Sequence, residues 1–125
     1  MLAADTSSLI AYLVGDAGRD VETIIAALGR VELSLPPVVI TELLSDHKNR
    51  AALAPQITAC ATLEILPGYW ERAGATRATV LAKGLTAKVP DALIAQSCLD
   101  HDVALITRDG DFRHFAKHCG LKLAG

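Results

Sequence analysis

Aromatic side chains are scarce in this 125-residue chain: Phe, Trp and Tyr together make up 4%. Any core must therefore be aliphatic, and blocks of Ala, Leu, Ile and Val suit a sheet wrapped by helices. Cysteine is sparse too. Cys60, Cys98 and Cys119 are odd in number, far apart and never in a Cys-x-x-Cys pair, which excludes a disulfide scaffold and a zinc knuckle. No apolar run approaches the ~18 residues that a membrane helix needs. The opening Met1-Leu-Ala-Ala-Asp5 has no basic leader and breaks at a carboxylate, so it does not read as a signal peptide. Repeats, low-complexity tracts and linkers are absent. With 51% hydrophobic and 21% charged residues, the composition predicts one domain over 1–125, soluble and cytoplasmic.

What is present is an alternation of short apolar runs with longer helical patterns. Strands are expected at Leu2 to Ala4, Glu32 to Leu35, Leu63 to Leu66 and Val103 to Ile106, with a last one at Leu121 to Leu123. Between them lie helical stretches: one capped by Ser7-Ser8 and running to Val14, then 20–28, 38–44, 51–61, 70–83, 90–101 and 112–118. Alternating strands and helices predict parallel strands with right-handed crossovers. The fold class is α/β, a three-layer α/β/α sandwich around a central parallel sheet of four or five strands.

In open parallel sheets, ligands bind beyond the carboxyl ends of the strands, and acidic residues recur at that end. Asp5 closes the first strand. Glu42 lies one turn into the helix after the second. Asp91 opens the helix before the fourth, and Asp109 and Asp111 follow that strand directly. Each has a plain alternative: Asp91 complements a helix dipole, Asp109 and Asp111 flank a turn glycine, and Glu42 suits a solvated helix face. Asp5 resists such an explanation, because a buried strand end is a costly place for a charge. Carboxylates brought together at neutral pH need protons or a cation. An all-oxygen set selects magnesium or manganese over zinc. Such an ion suits phosphodiester hydrolysis, and no Ser-His or Cys-His nucleophile or glycine-rich phosphate loop competes. The formal net charge of −2 is no obstacle, since setting those five carboxylates aside leaves +3 on the remainder, a balance that allows a basic rim around an acidic hole without establishing one.

Four segments in order carry a resemblance. Leu2-Ala-Ala-Asp5-Thr-Ser-Ser-Leu-Ile10, Val38-Val-Ile-Thr-Glu42-Leu-Leu44, Val89-Pro-Asp91-Ala-Leu-Ile-Ala95 and Ala104-Leu-Ile-Thr107-Arg-Asp109-Gly-Asp111-Phe112 resemble the motifs of PIN-domain ribonucleases, and among them the VapC-like toxins of toxin–antitoxin pairs. The resemblance implies a metal-dependent endoribonuclease with Asp5, Glu42, Asp91 and Asp109 as site residues. Asp5 and Asp91 would be the direct metal ligands, and Mg2+ or Mn2+ the cofactor. Asp109 is favoured over Asp111 for lying nearer the strand end, and Thr6, Ser7 and Thr107 would hydrogen-bond the carboxylates or the phosphate. It further implies an RNA substrate, an antitoxin whose C-terminal segment would place an Arg or Lys among the acids, and a homodimer. Leu13, Ile24, Ile25 and Leu28 are candidates for the dimer face or for core.

Other α/β enzymes fail on particular residues. A phospho-receiver needs an Asp after the third strand, where Ile65-Leu-Pro-Gly68 stands, and a haloacid-dehalogenase-like phosphatase needs an Asp where Ser7 stands. A non-enzymatic PIN-fold module that binds RNA or protein is the alternative. His114, His118 and Cys119 are a weak zinc set. Tyr69 and Trp70 are candidates for base stacking, with packing over a sheet edge favoured for Trp70. Arg77, Lys83 and Arg108 are candidates for phosphate contact.

Overall fold

The computed structural model describes residues 1–124. Its sheet has four strands, β1 (Leu2–Ala4), β2 (Leu33–Leu35), β3 (Ala61–Thr62) and β4 (Ala104–Ile106), in the order β3-β2-β1-β4. Every pairing is parallel, with Leu2 opposite Leu33 on one side and Ala104 on the other. The chain therefore steps outward from β1 to β3 and then returns to the far side of β1 for β4. That reversal leaves a crevice between the carboxyl ends of β1 and β4, where open α/β sheets bind ligands.

Among the described residues seven helices complete the three layers: α1 (Thr6–Leu13), α2 (Arg19–Gly29), α3 (Pro37–Leu44), α4 (Arg50–Thr58), α5 (Tyr69–Leu81), α6 (Val89–His101) and α7 (Phe112–Cys119). α2 packs on β2 and β4, α6 packs on β4, and α5 and α7 stack on α6. The buried spacing in α2 (Val21, Ile24, Ala27) and in α3 (Val39, Leu43) is that of one helical stripe, turned to the sheet in α2 and to the neighbouring helices in α3. In α6 the run from Ile94 to Cys98 is buried without interruption, so that helix is enclosed by its neighbours. The core is largely aliphatic; its aromatic members are Tyr69, Phe112 and Phe115, and the two Phe rings pack 6.1 Å apart.

Several sequence expectations shift. Leu63 to Leu66 is not a strand; the pairing falls on Ala61–Thr62, and Leu63 N–H adds one bond to the Leu35 carbonyl at 2.9 Å. The next carbonyl, of Glu64, turns away to His101 Nε2 at 2.7 Å, which ends the ladder. Ser7 and Ser8 lie inside α1, and Asp5 is its cap. Leu121 to Leu123 forms a single bridge from Leu123 to Leu105 rather than a strand. Ile24 is fully buried and belongs to the core, not to a dimer face, whereas Ile25 is exposed. Trp70 does not cover the sheet edge: it is 61% exposed, while Tyr69 is buried and donates its hydroxyl to the Leu93 carbonyl. No described helix is long and apolar enough to cross a membrane.

Candidate functional site

Asp5 follows β1 directly and is 2% exposed. Its carboxylate accepts from the Ser8 N–H at 2.9 Å, from Ser7 Oγ at 2.9 and 3.1 Å, and from Thr107 Oγ1 at 2.6 Å. The first of these is helix capping, since a helix start leaves N–H groups unpaired. Burial raises the Asp5 carboxyl above its ordinary value, and the Thr107, Ser8 and Ser7 donors pull the other way. All these donors are neutral, so none of them compensates a negative charge at the strand end.

The segment after β4 is tied to Asp5 by Thr107. That hydroxyl donates to Asp5 and accepts from the Asp109 N–H at 3.0 Å. Asp109 Oδ1 in turn accepts from the Asp111 N–H at 2.9 Å, a turn that leads into α7. Asp91 arrives from a third direction, in the first turn of α6 behind Pro90, whose fixed φ suits a helix start. Its carboxyl is half-buried and pushed up to about 6, first by burial, then by the charge of Asp109, with Asp111 and Glu42 adding and Lys88 opposing. Glu42 comes from α3; it is exposed and steadied by Thr6 Oγ1 at 2.7 Å.

Asp5, Glu42, Asp91 and Asp109 line one cavity of about 290 Å³, with Lys88 as its cation and Phe112 in its wall. Asp91, Asp109 and Asp111 each offer an oxygen within 4.8 Å of the others. Asp111 thus joins the cluster alongside Asp109, while Asp5 sits deeper, held by its donors. An all-carboxylate set opposed by one ammonium fits a hard divalent cation. The anionic phosphodiester of a nucleic acid would be repelled from the same cavity without one.

Arg108 is not free for phosphate, since its guanidinium grips Asp20. Arg77 donates Nε to the Ala87 carbonyl at 2.7 Å. Among the described residues His114, His118 and Cys119 form no metal-holding group, and burial opposes thiolate formation, raising Cys60 and Cys119 and taking Cys98 to about 12. Lys88 and Asp20 were not foreseen. Lys88 precedes Val89-Pro90-Asp91 and is legible in retrospect as a cation close in sequence to an expected site acid. Asp20 meets Arg108 across 88 residues, a pairing with no local signature.

Comparison with known proteins agrees with this topology. A chain of a toxin–antitoxin complex from Klebsiella pneumoniae is similar in fold, with a TM-score of 0.68 and 20% identity, covering 97% of this chain and 95% of that one. No curated protein matches the sequence significantly. Residues 3–118 match the PIN domain family, a span that runs from the strand before Asp5 to the helix after Asp111, and the chain therefore belongs to the PIN domain family, whose members are in general nucleases.

Proposed function

We propose that residues 1–125 form a single nuclease domain that hydrolyses RNA phosphodiester bonds in the cytoplasm with Mg2+ or Mn2+, as the toxin of a toxin–antitoxin pair. The observation that carries the reading is the gathering of Asp5, Glu42, Asp91 and Asp109 around one cavity, with Asp91 raised to about 6. Perturbation by burial plus like charge in a cleft is typical of functional carboxylates.

Asp5 and Asp91 would hold the ion, with Asp109 and Asp111 completing the set. When bound, the ion supplies charge neutralisation and a more acidic water. Asp5 is locked in place by the Thr107, Ser7 and Ser8 donors, so it contributes a fixed charge. Glu42, exposed and anchored by Thr6, is suited to orient the attacking water and take its proton. Lys88 is placed to meet the phosphate at the cavity mouth.

Two features support the partner reading. The related fold from Klebsiella pneumoniae is described as a toxin–antitoxin complex. A hollow of about 370 Å³, with Leu13, Val14 and Leu53 in its wall, shares Ile10 and Glu42 with the acidic cavity, which suits an antitoxin segment that ends with a basic side chain among the acids. A homodimer is part of the same proposal, with exposed Ile25 and partly buried Leu13 and Leu28 available.

The test is cleavage of RNA by purified protein with Mg2+ or Mn2+, compared with chelator. Asp5→Asn and Asp91→Asn should each lower the rate more than about 100-fold, beyond the usual loss for outer-shell partners. Cleavage that persists in chelator, or in either variant, would reject the site; metal binding without cleavage would favour a binding module.

A further inference from the structure

We propose that the Arg108–Asp20 pair is a positioning clamp for the acidic cavity, fixing Asp109 through the 107–109 segment and Asp5 through the Thr107 hydroxyl of that segment, without itself touching RNA. The proposal rests on the nuclease reading above and assigns a task to two residues that reading leaves unused.

Arg108 directly precedes Asp109. Its Nε donates to Asp20 Oδ2 at 2.7 Å and its Nη2 to Asp20 Oδ1 at 3.0 Å, and Nη2 also reaches the Ala17 carbonyl at 3.2 Å. A two-pronged guanidinium–carboxylate pair fixes orientation as well as distance. The Asp20 side chain is only 10% exposed, and Arg108 holds its carboxyl down at about 2. The seat is tight as well. Gly18 has φ of +151°, and a Cβ there would stand 2.5 Å from Asp20 Oδ1 and 3.0 Å from Arg108 Nη2, so the backbone closes around the pair only as glycine.

The clamp is joined to the cavity by the segment Thr107-Arg108-Asp109, in which the Thr107 hydroxyl donates to Asp5 and accepts from the Asp109 N–H. Arg108, Asp20, Thr107 and Asp5 therefore tie the ends of β1 and β4 to the start of α2. Supporting partners of this kind hold ligating carboxylates in place.

Asp20→Asn keeps the shape and loosens the fork, whereas Arg108→Ala removes it. As parts of one clamp, both single variants and the double variant should lose the same 10- to 100-fold in Mn2+ affinity by calorimetry and in kcat, with KM for RNA within about twofold. Arg108→Lys, a point charge in place of a fork, should not restore them. If Arg108 instead contacts phosphate, the variants diverge: Asp20→Asn tightens RNA binding, Arg108→Ala raises KM, and Mn2+ affinity stays unchanged. That result overturns the clamp. Circular dichroism fixes the temperature at which the variants are folded, and if Arg108→Ala does not fold, Asp20→Asn decides by the same readouts. Wild-type protein that binds Mn2+ but cuts no RNA overturns the nuclease reading, while the calorimetric comparison still decides the clamp.

Discussion

Asp91→Asn should make the metal-free protein more stable at neutral pH, although it removes a residue assigned to the site. The Asp91 carboxyl rises from 3.8 to about 6 on folding, so the folded chain binds its proton more tightly than the unfolded chain does. Its contribution to stability is therefore complete below pH 3.8 and is lost as pH climbs through about 6. A rise of this size corresponds to roughly 3 kcal/mol between the two protonation states. Water at the cavity mouth screens part of it, leaving about 1–2 kcal/mol as the expected gain of the neutral amide at pH 7.5. For a chain of this length that is a melting-temperature increase of about 3–10 °C. The amide loses no partner in the exchange, since the Asp91 carboxylate accepts no hydrogen bond among the described residues. Thermal melts in chelator at pH 4 and pH 7.5 measure it: the two proteins should coincide at the lower pH and separate at the higher. Added Mn2+ should then raise the wild type more than the variant, because binding to the folded state adds stability in proportion to affinity. A variant less stable than wild type at pH 7.5 in chelator, or equally stabilised at both pH values, would refute the assignment of Asp91 as a charge held against its neighbours.

The same titration governs metal affinity: binding of Mn2+ to wild-type protein should weaken about tenfold per pH unit below about 6, and calorimetric affinities that stay flat from pH 7.5 to 5 would count against it. Phe112→Ala empties a site that is 1% exposed in the cavity wall and should cost about 3–5 kcal/mol, read as a lower urea midpoint. A loss under about 1 kcal/mol would mean that α7 is not anchored by that ring.

Residues whose role is local were legible from the sequence. A charge directly after an apolar strand marked Asp5, a proline followed by an acid marked the start of α6, and an aliphatic run before Thr107 marked β4. Where partners decide, the sequence was silent. Leu63 to Leu66 carries a good strand composition, yet the ladder stops once the Glu64 carbonyl turns to His101, a residue 37 positions away. Asp5 as cap and Asp5 as site acid are the same side chain, and the Ser7-Ser8 pair beside it gave an equally good local cap. Arg108 looked free for phosphate because the sequence cannot display a carboxylate 88 residues distant.

The fold treats its acids in two opposite ways, and the contrast bears on how the site works. Asp20 and Asp100 each face a guanidinium, from Arg108 and Arg72, and both carboxyls are held below the ordinary range. Asp5 and Asp91 face no guanidinium, and both are raised. Arg108, next to the Thr107 that donates to Asp5, is committed to Asp20 at 2.7 Å. Internal cations thus neutralise the structural carboxylates and leave the cavity's charge uncompensated except by Lys88. A cation from outside meets little internal competition there. A divalent ion and a basic side chain of a partner protein would contend for the same carboxylates, so raising the Mn2+ concentration should release an Arg- or Lys-bearing partner segment. Partner binding that is insensitive to Mn2+ would place that segment elsewhere on the surface.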